Sequence, residues 1–197
     1  LKCGTMSASV RASFDPGLVQ VAEQINGLRE AYLKLLEPMF FELLAGLVDL
    51  PDLKLGYYCG WTTNRAYADI LDESLERDLH LGYTQRGPQR ADIKLTLNGV
   101  NAAERLSRGH QKLVVVALKL AQGKLLSEIH GRKCVFLVDD LAAELDWAHR
   151  REICRQLAEL NTQVFVTSVG PKELTDCWPE DIQVKMFHVK HGQVSPN

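Results

Sequence analysis

Two adjacent carboxylates, Asp139 and Asp140, close the apolar run Val135-Phe136-Leu137-Val138. Carboxylates at the end of a buried strand are costly to place unless something uses them. In open α/β sheets, the carboxyl ends of the strands are where ligands bind. One such carboxylate can hold Mg2+ through water, while its neighbour orients or deprotonates an attacking water. The plainer alternative is a solvated acidic turn that caps the next helix. Upstream, Leu106-Ser107-Arg108-Gly109-His110-Gln111-Lys112 joins a helix-capping serine to a glycine that lets a phosphate approach the backbone. Exposed N–H groups and the positive end of the helix dipole suit a polyphosphate at such a start, although serine caps helices of every kind. Downstream lie Ala143-Glu144-Leu145-Asp146 and Thr167-Ser168, polar sets that carry no meaning singly.

The elements that must position these groups follow from periodicity. Residues 1–14 are small, polar and weakly periodic, an extended lead-in. Asp15-Pro16 reads as a helix start, with Asp as cap and Pro in the first turn. Leu18, Val21, Ile25, Leu28, Tyr32, Leu35, Met39, Leu43 and Leu47 then recur at spacings of three and four, as in a long amphipathic helix or coiled-coil-like arm. Pro38 predicts a kink or break near Glu37. A strand is predicted over 53–61, a helix carrying Tyr67, Ile70, Leu71, Leu75 and Leu79, and a strand over 92–97 ending in an Asn98-Gly99 hairpin turn. Ser107 opens a helix running to about Gln122. Residues 133–138 form a continuous apolar run, as in a strand buried on both faces. A helix over 147–160, a second buried strand over 163–168 and a third over 184–190 complete the chain, and the stretch 133–168 reads as a parallel βαβ unit.

Composition sets the outer limits. The chain has 197 residues, 46% hydrophobic and 24% charged, with a formal net charge of -2. These are ordinary values for a globular protein. No apolar run approaches the ~20 residues a membrane helix needs. Near-neutral charge gives no global signature of nucleic-acid binding, so any such face must be local. Cys3, Cys59, Cys134, Cys154 and Cys177 form no CxxC pair, which disfavours zinc and suits free thiols in a reducing compartment. Trp61, Trp147 and Trp178 are expected in core or interface positions rather than as base-stacking platforms. The chain begins at Leu1 without an apolar signal core, which reads as a processed chain or a piece of something longer.

Order is what makes the polar sets informative. A helix-start LSxGxQ, a strand ending in Asp-Asp, a following ELD and a strand ending in Thr-Ser fall within about 60 residues. This order resembles that of ABC-type ATPases: signature, Walker B, D-loop and switch. The stretches Arg77-Asp78-Leu79, Gly82-Tyr83-Thr84, Gly87-Pro88-Gln89-Arg90-Ala91-Asp92, 106–122, 138–146 and 163–168 narrow the likeness to the RecF family of bacterial recombination mediators. Three departures stand out. His110 replaces the Gln common before the second Gln of the signature, and Gln89 replaces His in Gly-Pro-His-Arg. No GxxxxGK[ST] phosphate loop is present; the only Gly-Lys pair is Gly123-Lys124, followed by Leu125.

The resemblance implies an α/β fold: a partial ABC-type P-loop ATPase head holding the closing strands and Walker B, with a mainly α-helical arm lobe that carries the signature helix. The expected division is 1–131 for the arm lobe and 132–197 for the head. The chain would be the C-terminal part of a RecF-like protein. It would share ATP and Mg2+ across an ATP-dependent homodimer, with Mg2+ near Asp139, Asp140 as catalytic carboxylate and Thr167 sensing the γ-phosphate. Ser107, Arg108, Gly109 and Gln111 would reach the opposite subunit's nucleotide, and Asp146 would cross the interface. Expected partners are DNA at single-stranded gaps and junctions, double-stranded DNA, RecR, RecO and the RecA pathway, in the cytoplasm and away from membranes. Arg65, Arg86, Arg90 and Lys94 are candidate DNA contacts, equally explained as a solvated face. Rival readings are a non-enzymatic protein-interaction module, a transporter's nucleotide-binding subunit, and an SMC-type structural head, for whose long coiled coils this chain has no room.

Overall fold

The computed structural model describes residues 8–141, 145–170 and 175–196. Its elements run α1 (Ala8–Leu47), β1 (Leu53–Tyr58), α2 (Tyr67–Leu81), a 3-10 turn (Pro88–Arg90), β2 (Asp92–Leu97), β3 (Val100–Asn101), α3 (Ala102–Arg105), α4 (Arg108–His130), β4 (Val135–Val138), α5 (Trp147–Glu159), β5 (Gln163–Val166), β6 (Phe187–Lys190) and β7 (Gln193–Pro196). They fall into two compact units, Leu1–Leu35 with Asp52–Arg105, and Leu36–Pro51 with Leu106–Asn197. The units do not divide at residue 131, because the signature helix α4 groups with the β4–β5 sheet and not with the arm sheet.

The arm helix departs from expectation at both prolines. It is one continuous 40-residue helix that begins ahead of Asp15-Pro16 and runs unbroken through Pro38. A helix-interior proline costs about 3 kcal/mol. Leu36, Phe40, Leu43, Leu44 and Leu47 are all buried around Pro38, and each buried side chain of that size returns about 1.5–3 kcal/mol. Burial therefore outweighs the missing hydrogen bond.

In the first unit, β1 and β2 pair antiparallel from Leu53↔Leu97 to Tyr58↔Asp92. The Asn98-Gly99 turn has positive φ at both residues (53° and 78°), so β3 returns directly on β2. Ala22, Cys59, Trp61, Tyr67, Ile70 and Leu71 form the core beneath, with the Trp61 and Tyr67 rings 4.5 Å apart.

That core ends in a polar knot which explains the Gly-Pro-Gln-Arg stretch. Tyr67 donates its hydroxyl hydrogen to the Arg86 carbonyl at 2.9 Å. Burial, with the Asp78 charge adding, pushes the Tyr67 phenol up to about 12. The buried Asp78 carboxylate accepts from the Ser74 hydroxyl at 3.0 Å and the Gln85 backbone N–H at 3.1 Å. Gly87 donates its N–H to the Gly60 carbonyl at 3.1 Å, and φ is positive at Gly60 (103°) and Gly87 (143°). A Cβ at Gly60 would overlap the Gly87 carbonyl, and one at Gly87 would overlap the Tyr67 hydroxyl.

In the second unit, β4 and β5 pair parallel, Val135↔Gln163 to Val138↔Val166, joined through α5 as the βαβ reading predicted. Helix α4 lies close on β4 at Gly123, where a Cβ would fall 2.5 Å from the Phe136 ring. It runs past Gln122 to His130 and stops on a left-handed Gly131. Gln156 of α5, itself buried, donates its amide to the Leu43 carbonyl at 3.0 Å and so ties α5 to the end of α1.

Two strand expectations fail. The β4–β5 sheet is covered on one face only: Val135, Leu137 and Phe165 are exposed, Leu137 at 79%. Apolar side chains on both faces showed that both want cover, not that this chain supplies it. The third strand does not join that sheet. It shortens to β6 and pairs antiparallel with β7 as a separate hairpin, because His191 and Gly192 take positive φ (50° and 77°) and turn the chain back. Trp61 is in the core, whereas Trp147 is exposed under the Arg151 guanidinium.

Replacing Gly60 by Ala should destabilise the chain by about 2–3 kcal/mol, through backbone overlap and positive φ together. Urea unfolding should show the midpoint falling at constant slope. A change below about 0.5 kcal/mol would show that the Gly60–Gly87 contact is not tight.

Candidate functional site

The sequence-predicted residues fall in three clusters of the second unit. The first is at the carboxyl ends of β4 and β5. Thr167 follows β5 directly and donates its backbone N–H to the Val138 carbonyl at 3.0 Å, extending the ladder by one step. This sets the Thr167 hydroxyl between the two carboxylate-bearing residues. It donates to Asp139 Oδ1 at 2.5 Å and accepts the Asp140 backbone N–H at 2.9 Å. Asp140 takes φ 46°, a left-handed conformation uncommon for a residue with a side chain. Backbone strain of this kind costs on the order of 1–3 kcal/mol and persists where surroundings impose it; here the Thr167 hydroxyl holds the Asp140 amide. Both carboxylates are solvent-exposed, as groups that meet a ligand must be.

The second cluster is the start of α4. Ser107 is its N-cap, accepting the His110 N–H at 3.2 Å on its hydroxyl, with its carbonyl accepting from Gln111 N–H at 2.9 Å. The Gln111 side chain turns back and donates to the Leu106 carbonyl at 3.0 Å. Ser107, Arg108 and His110 are exposed. Gly109 carries the more telling signal. A Cβ there would meet nothing closer than the Ser107 hydroxyl at 3.9 Å, and its φ is not positive. Glycine in a helix costs about 1 kcal/mol relative to alanine, and nothing among the described residues requires it here. It leaves the first N–H groups of the helix open to approach.

The third cluster is the start of α5. Asp146 is the N-cap, accepting the His149 N–H at 2.9 Å, with His149 Nδ1 2.8 Å from the same oxygen. The His149 backbone N–H, with its side chain contributing, holds the Asp146 carboxyl below the usual range. Arg150 Nε donates to the Leu145 carbonyl at 2.8 Å. Of the D-loop set, Ala143 and Glu144 lie outside the described residues. The His149 partnership was not anticipated, although the Asp-x-x-His spacing at a helix start was its signal. Asp78 was also missed as a buried group; only its place in the Arg77-Asp78-Leu79 stretch hinted at a role.

Of the candidate DNA contacts in the first unit, Arg65 is held by Glu73 at 2.8 Å, Lys94 lies 4.8 Å over the Tyr58 ring and Arg90 5.9 Å over the Tyr83 ring. The five-cysteine reading keeps Cys59, Cys134, Cys154 and Cys177 as free thiols; Cys3 lies outside the described residues. Among the described residues, no cluster of three or more His, Cys, Asp or Glu could hold a metal, and no helix is long and apolar enough to cross a membrane.

Comparison with known proteins follows the same lines. The family model described as the RecF/RecN/SMC N terminal domain matches residues 22–195. "DNA replication and repair protein RecF" of Pseudomonas paraeruginosa is 49% identical over 99% of this chain and 53% of its own length. The protein of the same name from Stutzerimonas stutzeri is 48% identical with the same coverage. The chain thus spans about half the length of the curated relatives it matches. A solved structure described as the recombination mediator protein RecF-ATPrS in the RecFOR pathway superposes with TM-score 0.76, at 24% identity over 97% of this chain and 51% of the other. That likeness is one of fold. None of these matches supports placing the chain at the C-terminal end of its relatives.

Replacing Thr167 by Val removes the hydroxyl and should speed amide exchange at Asp140 about tenfold, the worth of one hydrogen bond of about 1.4 kcal/mol. Thr167→Ser should preserve protection. Unchanged exchange in Thr167→Val, followed by NMR, would show that the hydroxyl does not hold the loop.

Proposed function

The chain belongs to the RecF/RecN/SMC N terminal domain family, and from that premise we propose that it supplies one share of a RecF-type ATPase head together with its arm. The carrying observation is the Thr167 hydroxyl that joins Asp139 to the Asp140 backbone at the strand ends. In this reading Asp140 orients and deprotonates the water that attacks the γ-phosphate of ATP. Thr167 couples the second strand to that carboxylate and responds to the γ-phosphate. Ser107 and Gly109, with Arg108 beside them and Gln111 closing the turn, present the α4 N-terminus to ATP held by a second copy. Asp146 contributes from the start of α5 at the same dimer interface.

The residues present fit Mg2+ in one specific way. Asp139 has one oxygen engaged by Thr167, and a carboxylate keeps a second oxygen for a hydrated cation. No ready-made protein cage exists among the described residues. That suits Mg2+, which is usually held by one or two carboxylates plus substrate phosphates and water. When bound, the ion neutralises charge on the phosphates.

A phosphate loop must come from elsewhere, since these residues hold no GxxxxGK[ST]. The order signature, Walker B, D-loop and switch supports a place in the half of the family polypeptide that follows that loop, the C-terminal part. The bare face carrying Val135, Leu137 and Phe165 supports a head sheet completed by further chain. The assembled protein would bind DNA gaps and junctions in an ATP-dependent manner and, with RecR and RecO, assist RecA loading. Phosphate contacts on the arm would then give binding a steep salt dependence, with Arg86 and Arg90 stronger candidates than Arg65, whose charge Glu73 already meets.

The 197-residue chain alone should show no ATP turnover. Turnover should return when the portion carrying a phosphate loop is added. Asp139→Ala or Asp140→Ala should then lower it by about 100-fold or more. Robust phosphate release by the isolated chain would refute the reading.

A further inference from the structure

The outer face of the β1–β2 sheet combines aromatic and basic side chains. Side chains alternate across a strand. On β1, Leu53 is buried and Tyr57 packs on the core, which turns Lys54, Gly56 and Tyr58 to the outer face. The antiparallel register sets Thr96, Lys94 and Asp92 opposite them. Lys94 is thereby the diagonal neighbour of Tyr58, and its ammonium lies 4.8 Å over the centre of the ring. Tyr58 is 37% exposed, and both lysines are exposed beside it. Asp92 is the acidic member of the face; its carboxylate accepts the Ile93 backbone N–H at 2.9 Å. Arg90 stands two residues before Asp92, the register partner of Tyr58. Its guanidinium lies 5.9 Å over the ring of Tyr83, which is 49% exposed. A second tyrosine–cation pair thus adjoins the Tyr58 end of the sheet.

Gly56 is the independent signal. Glycine weakens a strand interior, and there it often marks the close approach of a ligand. A Cβ at Gly56 would meet only the Lys94 carbonyl oxygen at 3.6 Å and the Lys94 Cβ at 3.9 Å, ordinary contact distances, and its φ is not positive. Neither crowding nor backbone conformation among the described residues calls for glycine at this position. Its effect is to leave the face low between Lys54, Lys94 and the Tyr58 ring. Lysines meet the phosphates of a nucleic-acid strand, and an exposed ring offers a π-face on which a base of any kind stacks. In a duplex the base faces are already stacked on one another, so such a ring serves an unpaired base. An acidic protein segment would use the lysines but leave the ring and the glycine without a role.

We propose that this face is a site for an unpaired nucleic-acid strand, in which a base stacks on Tyr58 over the floor left by Gly56, and the flanking phosphates meet Lys54 and Lys94. The Lys94 ammonium, a point charge on a flexible stem, leaves the ring as the base arrives and moves to a phosphate. Tyr83 and Arg90 continue the site toward the neighbouring base. The inference rests on the reading above for DNA as the ligand, and deepens it by assigning the unpaired strand of a gap to the arm sheet.

The probe is a labelled oligothymidylate of about 12 nucleotides, within the span of a single-strand site, carrying iodouracil, which cross-links to a stacked aromatic ring under ultraviolet light. It is mixed with the full 197-residue chain, and binding is followed by fluorescence anisotropy. The expected result is a cross-link on Tyr58, with a Kd about tenfold weaker or more in Tyr58→Ala. Tyr58→Phe keeps the ring and should bind within about twofold of the wild type, with helicity unchanged by circular dichroism. Lys94→Gln should make the slope of log K against log salt shallower by about 0.7. A cross-link that maps elsewhere, Tyr58→Ala binding like the wild type, or the same loss toward the corresponding duplex would overturn the proposal, as would a folded chain that binds no oligonucleotide. Stacking on this face needs no ATP, so turnover in the assembled protein separates the two readings. Turnover without the Tyr58 cross-link sinks the face and spares the ATPase reading; the cross-link without turnover does the reverse.

Discussion

One hydroxyl group connects the parts of the candidate site. Thr167 stands one residue beyond β5, bonded by its backbone to β4 and by its side chain to both Asp139 and the Asp140 amide. The bond to a carboxylate is charge-assisted and short, the stronger class of hydrogen bond. It fixes Asp140 in a left-handed conformation that its side chain would otherwise disfavour. The surrounding structure can be read as support for that junction. The parallel register brings Thr167 level with the end of β4, α4 presses on β4 at Gly123, which has no side chain, and Gln156 anchors α5 to α1.

The arm depends on a different constraint. Its polar knot buries a carboxylate, Asp78, whose cost is met by hydrogen bonds from Ser74 and Gln85. Tyr67 and the pair Gly60–Gly87 complete it, holding the turn that carries Arg86 and Arg90 in a single conformation. A turn so heavily buttressed presents its side chains from a rigid base, which is the arrangement binding residues need.

Much of this was legible from residue order. The Asn98-Gly99 turn, the βαβ unit and the Ser107 cap each rest on local chemistry, and local chemistry is what sequence patterns record. Periodicity also found the apolar stripe of α1. It could not say which side of the stripe the chain itself would cover, since Leu28 and Leu33 are equally apolar while only Leu33 is buried. The same limit applies to β4, where alternate residues face α4 and open solvent. Asp15-Pro16 predicted a helix start and Pro38 a break; the helix begins ahead of the first and runs through the second, where packing overrode the break. Asp78 and the Asp146–His149 pair were hidden because their partners are set by the fold; β6 lies within its expected range but is exposed, and its partner β7 was not foreseen because the His191-Gly192 turn was not read as a hairpin.

The proposed ATPase head requires α4 to present Ser107 to a nucleotide bound by another copy. Sedimentation of the assembled protein with ATP tests it most directly. The wild type should double in mass when ATP is added, and Ser107→Arg should remain at the single-copy mass while still binding nucleotide. A Ser107→Arg protein that doubles in mass with ATP as the wild type does would contradict it.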